Sequence, residues 1–299
     1  MILVAGLTPA WQQIAILDRL RIGEVNRARE VHWCASGKVL NVGLALTQLG
    51  ASVRTLSLTG SGAAGTAMRK DLAELGVDVR WIESQARQRV CTTLLDRESK
   101  QTTEIVENSL AAAPAELAAF ESAFAEEAAS GDIEFVILTG SLPINTPSDY
   151  YAKLLDHTRT KAILDIRGAE LLATWHHAPF LVKPNREELA QTVQRPLSSA
   201  DDIWQAMQEI HDFGAEWAIV TNGPQEVLAS HVEQRSAISN RFHFDVPRVE
   251  VVNPIGCGDC FTAGLACALQ RGSDMPTAIR SGISAAARNA EQLLPARIG

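Results

Sequence analysis

A chain of 299 residues with 46% hydrophobic and 21% charged side chains carries enough apolar material for a substantial core, and α/β folds of this length often form one unit. Its net charge of −8 argues against a nucleic-acid partner, and no cluster of lysine and arginine opposes that reading. The first residues, Met1-Ile2-Leu3-Val4-Ala5-Gly6, lack a basic segment and reach Gln12 too soon for a signal peptide, and no apolar run has membrane-spanning length; a cytoplasmic protein is expected.

From the N-terminus, short β-like runs alternate with longer helical ones, which predicts an α/β fold with a mostly parallel central sheet and helices on both faces. Strands are expected at Ile2–Gly6, Val53–Leu58, Phe135–Thr139, Ala162–Asp165, Phe180–Lys183, Ala218–Thr221, Val227–Ser230 and Val249–Val252. Lys38–Gly50, Thr66–Gly76 and Ala115–Ser130 read as crossover helices, the last opening after Pro114. Two stretches break the alternation. Gln12–Trp33 and Gln88–Glu107 read as alternating polar and apolar strands, the second turning around Asp96–Lys100. The two stretches, at about 10–33 and 87–107, could pair into a small β-sheet projecting from a single domain spanning 1–299.

Several motifs carry more than one meaning. Gly60-Ser61-Gly62-Ala63-Ala64-Gly65 matches the dinucleotide fingerprint, with Glu83 at a suitable distance for a ribose partner, so an NAD-dependent oxidoreductase is one reading. Against it, the motif lies in the second βα unit, and the first strand runs into Thr8-Pro9-Ala10 without a glycine loop. Gly37-Lys38 lacks the upstream glycine and the hydroxyl residue of a Walker loop, and Ser36 could simply cap a helix. Cys257-Gly258-Asp259-Cys260 could hold a reactive thiolate at a helix start, whereas five cysteines without a secretion signal point to reduced thiols. His176-His177 is expected in an exposed loop.

Near the end, Val251-Val252-Asn253-Pro254-Ile255-Gly256-Cys257-Gly258-Asp259-Cys260-Phe261 packs a strand end, a glycine turn and a helix start around one carboxylate. Such a turn aims unpaired N–H groups at an anion, and Asp259 at its mouth could take a proton from a hydroxyl; the alternative is a capped helix and nothing more.

This segment resembles the Gly-X-Gly-Asp anion hole of the ribokinase-like, or PfkB-type, carbohydrate kinases. Asn26-Arg27, Ser36-Gly37-Lys38-Val39-Leu40-Asn41, Thr139-Gly140-Ser141-Leu142-Pro143 and Val182-Lys183-Pro184-Asn185-Arg186-Glu187-Glu188-Leu189 resemble further landmarks of that family, in order. The likeness is greatest to the branch acting on sugar phosphates, the 1-phosphofructokinases and tagatose-6-phosphate kinases. It implies Asp259 as catalytic base, with the amides of Gly256, Cys257 and Gly258 around the transferring phosphoryl group. It implies Gln12, Ser36, Gly37, Lys38, Asn41, Arg89 and Ser141 at the acceptor, with Arg89 on its phosphate and Arg27 a weaker candidate. Asn185, Thr221, Asn222, Gly223, Gly256 and Gly258 would meet ATP, and Asn185 with Glu188 would arrange magnesium.

The chain also departs from the pattern. Relatives usually carry an aspartate where Gln12 stands, and glycines where Ser36 and Val39 stand; a β-branched residue at positive φ would be strained, so the backbone or the pocket must differ. These changes leave two readings: altered substrate choice in an ATP-dependent kinase of a ketohexose phosphate, or a catalytically weak sugar or nucleotide sensor of the same fold. The resemblance also implies that the small sheet is a lid over the sugar site, and a homodimer through that exposed lid is a further expectation.

Overall fold

The computed structural model describes residues 1–233 and 240–299. Parallel strands buried on both faces favour apolar side chains at most positions, and the apolar-rich runs form the middle of one sheet. These are β1 (Ile2–Gly6), then β4 (Val53–Ser61), β8 (Phe135–Thr139), β9 (Lys161–Asp165), β10 (Leu181–Val182) and β11 (Trp217–Thr221). With β5 (Val79–Arg87) at one edge and the antiparallel β12 (Glu226–His231) and β13 (Asn240–Asp245) at the other, the order is β13-β12-β11-β10-β9-β8-β1-β4-β5.

Because successive strand side chains point to opposite faces, one core lies on each side. Ile2, Val4, Ile137, Ile163 and Ile219 face α1 (Lys38–Gln48), α2 (Gly62–Glu74), α8 (Cys257–Gln270) and α9 (Met275–Ala290). Leu3, Ala5, Val136, Leu138, Leu164 and Val220 face α3 (Pro114–Ala128), α4 (Tyr150–Asp156), α5 (Gly168–Ala173), α6 (Arg186–Thr192) and α7 (Ala200–Asp212).

The lid is a second, four-stranded sheet in the order β3-β2-β6-β7, built from β2 (Ala10–Leu17), β3 (Glu30–Ser36), β6 (Val90–Asp96) and β7 (Thr102–Val106). β2 and β6 run parallel down its centre, in register from Trp11↔Val90 to Leu17↔Asp96, so two distant segments are joined as expected.

Val249–Val252 is not a strand. Val251 and Val252 are 55% and 44% exposed, and the amides of Val252 and Asn253 donate to the Ala290 carbonyl at the end of α9. The last strand is instead β13, so an irregular run of about ten residues precedes the glycine turn. Helix α2 begins at Gly62, four residues earlier than expected, inside the glycine-rich run and without a side-chain cap from Ser61. His176-His177 lies in a short 3-10 turn, Trp175–His177.

Candidate active site

The sheet order reverses at β1, which has β4 on one side and β8 on the other; in open α/β sheets the crevice beyond such strand ends is where ligands bind. Here Thr8, just past β1, donates its hydroxyl to the Ser141 carbonyl, past β8, at 3.1 Å. The ends of β9, β10 and β11 add Asp165, Lys183 and Thr221, the lid forms one wall, and the turn before α8 forms another. Together they enclose a cleft of about 560 Å³.

At the base of the cleft, Gly256 adopts φ +85, a conformation glycine takes without steric cost, and ends the irregular run so that α8 starts at Cys257. A side chain there would also meet Pro295, its Cβ 3.0 Å from the Pro295 Cβ. The amides of Gly256, Gly258 and Asp259 bond to none of the described residues, which leaves donors at the positive end of a 14-residue helix. The Cys257 amide differs from the expectation: it donates to the Pro254 carbonyl at 3.3 Å, so the turn itself engages it. Asn289 of α9 braces this turn, donating to the Ile255 carbonyl at 2.8 Å and accepting from the Ala296 amide at 2.7 Å.

Asp259, in the first turn of α8, is 7% exposed, and its Oδ2 accepts from Asn41 Nδ2 at 2.7 Å. Burial pushes its carboxyl up to about 7; the Lys38 charge opposes this and Asp165 adds to it. Ser36 donates to Asn41 Oδ1 at 3.2 Å, which fixes the amide with its nitrogen toward Asp259.

Two lysines and two further carboxylates stand beside this group. Lys38 Nζ lies 3.0 Å from Asp165 and 2.8 Å from Glu188; burial works against its charge, but Asp165, Glu188 and Asp259 together raise its pKa. Lys183 Nζ lies 3.3 Å from the other Asp165 oxygen and about 4.0 Å from where a Cβ on Gly258 would stand. Asp165 also accepts from Thr262 at 3.0 Å. Burial alone would raise Asp165, but Lys183 and Lys38 outweigh it and hold the carboxylate below its ordinary value. Asp165 and Lys183 were not singled out from the sequence. Each ends an apolar strand, where a polar residue beyond the buried run was the available signal.

Glu188 joins the cleft from the start of α6, where it and Asn185 form a reciprocal capping box: Asn185 Oδ1 accepts from the Glu188 amide and Glu188 Oε2 from the Asn185 amide. Both Glu188 oxygens are thus bonded, and among the described residues no group of three or more His, Cys, Asp or Glu is placed to hold a metal ion. A magnesium ion here would therefore be held largely by water and nucleotide phosphates, and Glu188 and Asn185 would meet it through its waters.

At the lid end, Gln12, 2% exposed, donates to Thr93 at 2.7 Å. Arg89 spends three of its donors on carbonyls, Thr8 at 2.6 Å, Pro9 at 3.1 Å and Glu107 at 3.2 Å, so it ties the lid to the sheet while two N–H groups remain for a ligand. Glu104 and Arg167 also line the cleft and were not foreseen. Val39 does not line it. It sits inside α1 and packs over Gly6, and the positive φ falls on Gly37, at +94, so the feared strain does not arise. Ser36 does not cap α1; Gly37 takes that position.

Of the remaining expected residues, Gly37, Ser141 and Thr221 line the cleft. Asn222, whose Nδ2 donates to Gln225 at 2.6 Å, and Gly223 lie outside its lining, as does the exposed Arg27. The Gly60–Gly65 run also stands apart: a Cβ on Gly60 would clash with the Gln88 backbone and one on Gly65 with the Gly60 carbonyl, so these glycines serve close packing of β4, α2 and the chain entering β6. Cys257 and Cys260 are free, and burial raises both thiols, against a reactive pair.

The model of the pfkB family carbohydrate kinases matches residues 2–295. Among solved structures, Escherichia coli phosphofructokinase-2 in complex with substrates and products is 25% identical, over 99% of this chain and 94% of that one, with a TM-score of 0.87. In fold alone, a Thermotoga maritima protein described as a possible 1-phosphofructokinase is similar at 16% identity, 98% and 93% coverage and a TM-score of 0.87. Ribokinase from the same organism is similar in fold at 18%, 99% and 94%, and 0.76.

Proposed function

We propose, on the premise that this chain belongs to the pfkB family of carbohydrate kinases, that it transfers the γ-phosphoryl group of ATP to a hydroxyl of a sugar phosphate, such as fructose-1-phosphate, fructose-6-phosphate or tagatose-6-phosphate. The observation that carries this reading is Asp259: a buried carboxyl pushed up to about 7, at the mouth of a helix with free amides, beside two lysines.

In this mechanism Asp259 takes the proton from the acceptor hydroxyl, and a base whose pKa lies near ambient pH suits that task. Asn41 holds Oδ2 in place. The amides of Gly256, Gly258 and Asp259 face the oxygens of the transferring group, where fixed donors stabilise developing charge without reorganisation. Lys38 and Lys183, fixed by Asp165, counter the phosphate charges. Bound magnesium, oriented through Glu188 and Asn185, would neutralise the nucleotide phosphates.

The phosphorylated acceptor draws support from the Escherichia coli protein, which has been solved with fructose-6-phosphate at 25% identity, and from the cations Arg89 and Arg167 in the cleft. The reading of a catalytically weak sensor loses part of its basis with Val39 in the core, leaving Gln12 and Ser36 as departures that bear on which sugar is chosen. A second copy of the chain against the lid completes the proposal. The outer lid face exposes Trp33, at 44%, stacked 6.0 Å from Trp11, and Ile105, at 58%. A cytoplasmic setting suits substrates of this kind. Nucleotide titration of Asp259→Asn tests the assignment: ATP binding should persist while turnover falls about 10²–10⁴-fold, and turnover at the wild-type rate would refute it.

A further inference from the structure

Helices α8 and α9 pack tightly at Gly264, where a Cβ would lie 2.7 Å from the Ser281 carbonyl. On their exposed side, away from the cleft described above, runs a groove of about 450 Å³ lined by Arg271, Arg280 and Arg288 and by no acidic residue. Each guanidinium is held in place by a carbonyl: Arg271 donates to Leu49 at 2.6 Å, Arg280 to Pro276 at 3.3 Å while lying 5.0 Å over the Phe244 ring, and Arg288 to Ile298. None forms an ion pair with any described residue. Asp274, whose charge Arg280 feels, has a carboxylate oxygen on the Thr277 amide at 2.9 Å. The hydroxyls of Thr277 and Ser284 also line the groove and bond to no described residue.

Three anchored cations with no ion-pair partner among the described residues, on a chain of net charge −8, form an electrostatic anomaly that a bound anion would resolve. A guanidinium whose position is fixed through one donor keeps the others in a planar fork matched to phosphate oxygens. The volume is that of a small-ligand site, and the negative chain as a whole would repel an extended polyanion. We infer that this groove binds a small phosphate-bearing molecule at a second site, independent of the catalytic cleft.

Pyrophosphate titrated calorimetrically in metal-free buffer tests the inference on four proteins: wild type, Arg271→Ala/Arg280→Ala, Arg280→Glu, and Lys183→Met, which changes the cleft and no residue of the groove. Binding should survive in Lys183→Met, weaken at least about tenfold in the double variant, vanish in Arg280→Glu, and fade as salt is raised. An isotherm unchanged in the double variant, or lost entirely in a Lys183→Met protein whose circular dichroism shows it folded, would overturn the site. An oligonucleotide that binds wild type more tightly than pyrophosphate, through the same arginines, would overturn the small-molecule assignment.

Discussion

Asp259 shows how one environment can set both chemistry and stability. Its carboxyl is at about 7 in the folded protein and near ~3.9 when unfolded, so across about pH 4 to 7 the folded state binds more protons, and stability falls as pH rises through that window. The cost above pH 7 is roughly 4 kcal/mol at most, from about 3 units at 1.36 kcal/mol each. Asp259→Asn should therefore melt several degrees higher than wild type at pH 8 and show little gain at pH 4, as read by calorimetry; equal melting shifts at both values would contradict the burial argument. In wild type, kcat/KM should climb with pH through about 7 as the base loses its proton. Lys183 sits at the other extreme, inside a buried ion network. Lys183→Met leaves an Asp165 oxygen without its cation, and urea unfolding should report a loss of up to about 3–5 kcal/mol. Gly256 and Asp259 were legible in the sequence because one short motif holds them together, whereas Asn41 entered through the family resemblance alone, at the acceptor and not against Asp259. Asp165 and Lys183 were not legible, since Asp165 binds Lys183 at the end of β10 and Lys38 of α1, the latter 127 residues away in the chain.

Elements buried on both faces were the most legible: β1 and β8 run as read, because a fully apolar run between breakers admits few alternatives. The failures came at the sheet's antiparallel edge and in the approach to α8. β13, Asn-Arg-Phe-His-Phe-Asp, buries Phe244 alone and pairs only with β12, so its alternation was masked by polar residues. Val249–Val252 had the composition of a strand but no neighbour to pair with, and its backbone bonds end on Ala290. That run holds its shape through Asn253 and Asn289, which anchor it to the end of α9. Asn289→Ala should cost about 1–3 kcal/mol by leaving the Ala296 amide and Ile255 carbonyl unsatisfied. It should also lower kcat more than it raises KM for the sugar, because the turn rather than the acceptor wall loses its brace. A rise in acceptor KM alone would place Asn289 outside the catalytic turn's support.

Across the whole molecule, the sheet supplies carboxyl ends, the lid supplies a wall, and α8 supplies an anion-seeking terminus; the cleft exists only where all three meet. The lid's outer face has no such role within one chain, yet exposes Trp33 and Ile105. Replacing both with charged residues, Trp33→Glu with Ile105→Lys, should shift sedimentation from dimer to monomer, while a wild-type chain that already sediments as a monomer would remove the lid-to-lid interface. The central claim is tested most directly by coupled ADP release from magnesium-ATP with fructose-1-phosphate, fructose-6-phosphate, tagatose-6-phosphate and the free sugars, run beside Asp259→Asn. The account predicts turnover with a sugar phosphate that collapses in the variant. Turnover that persists in Asp259→Asn, or ATP binding with no phosphorylation of any acceptor, would contradict it.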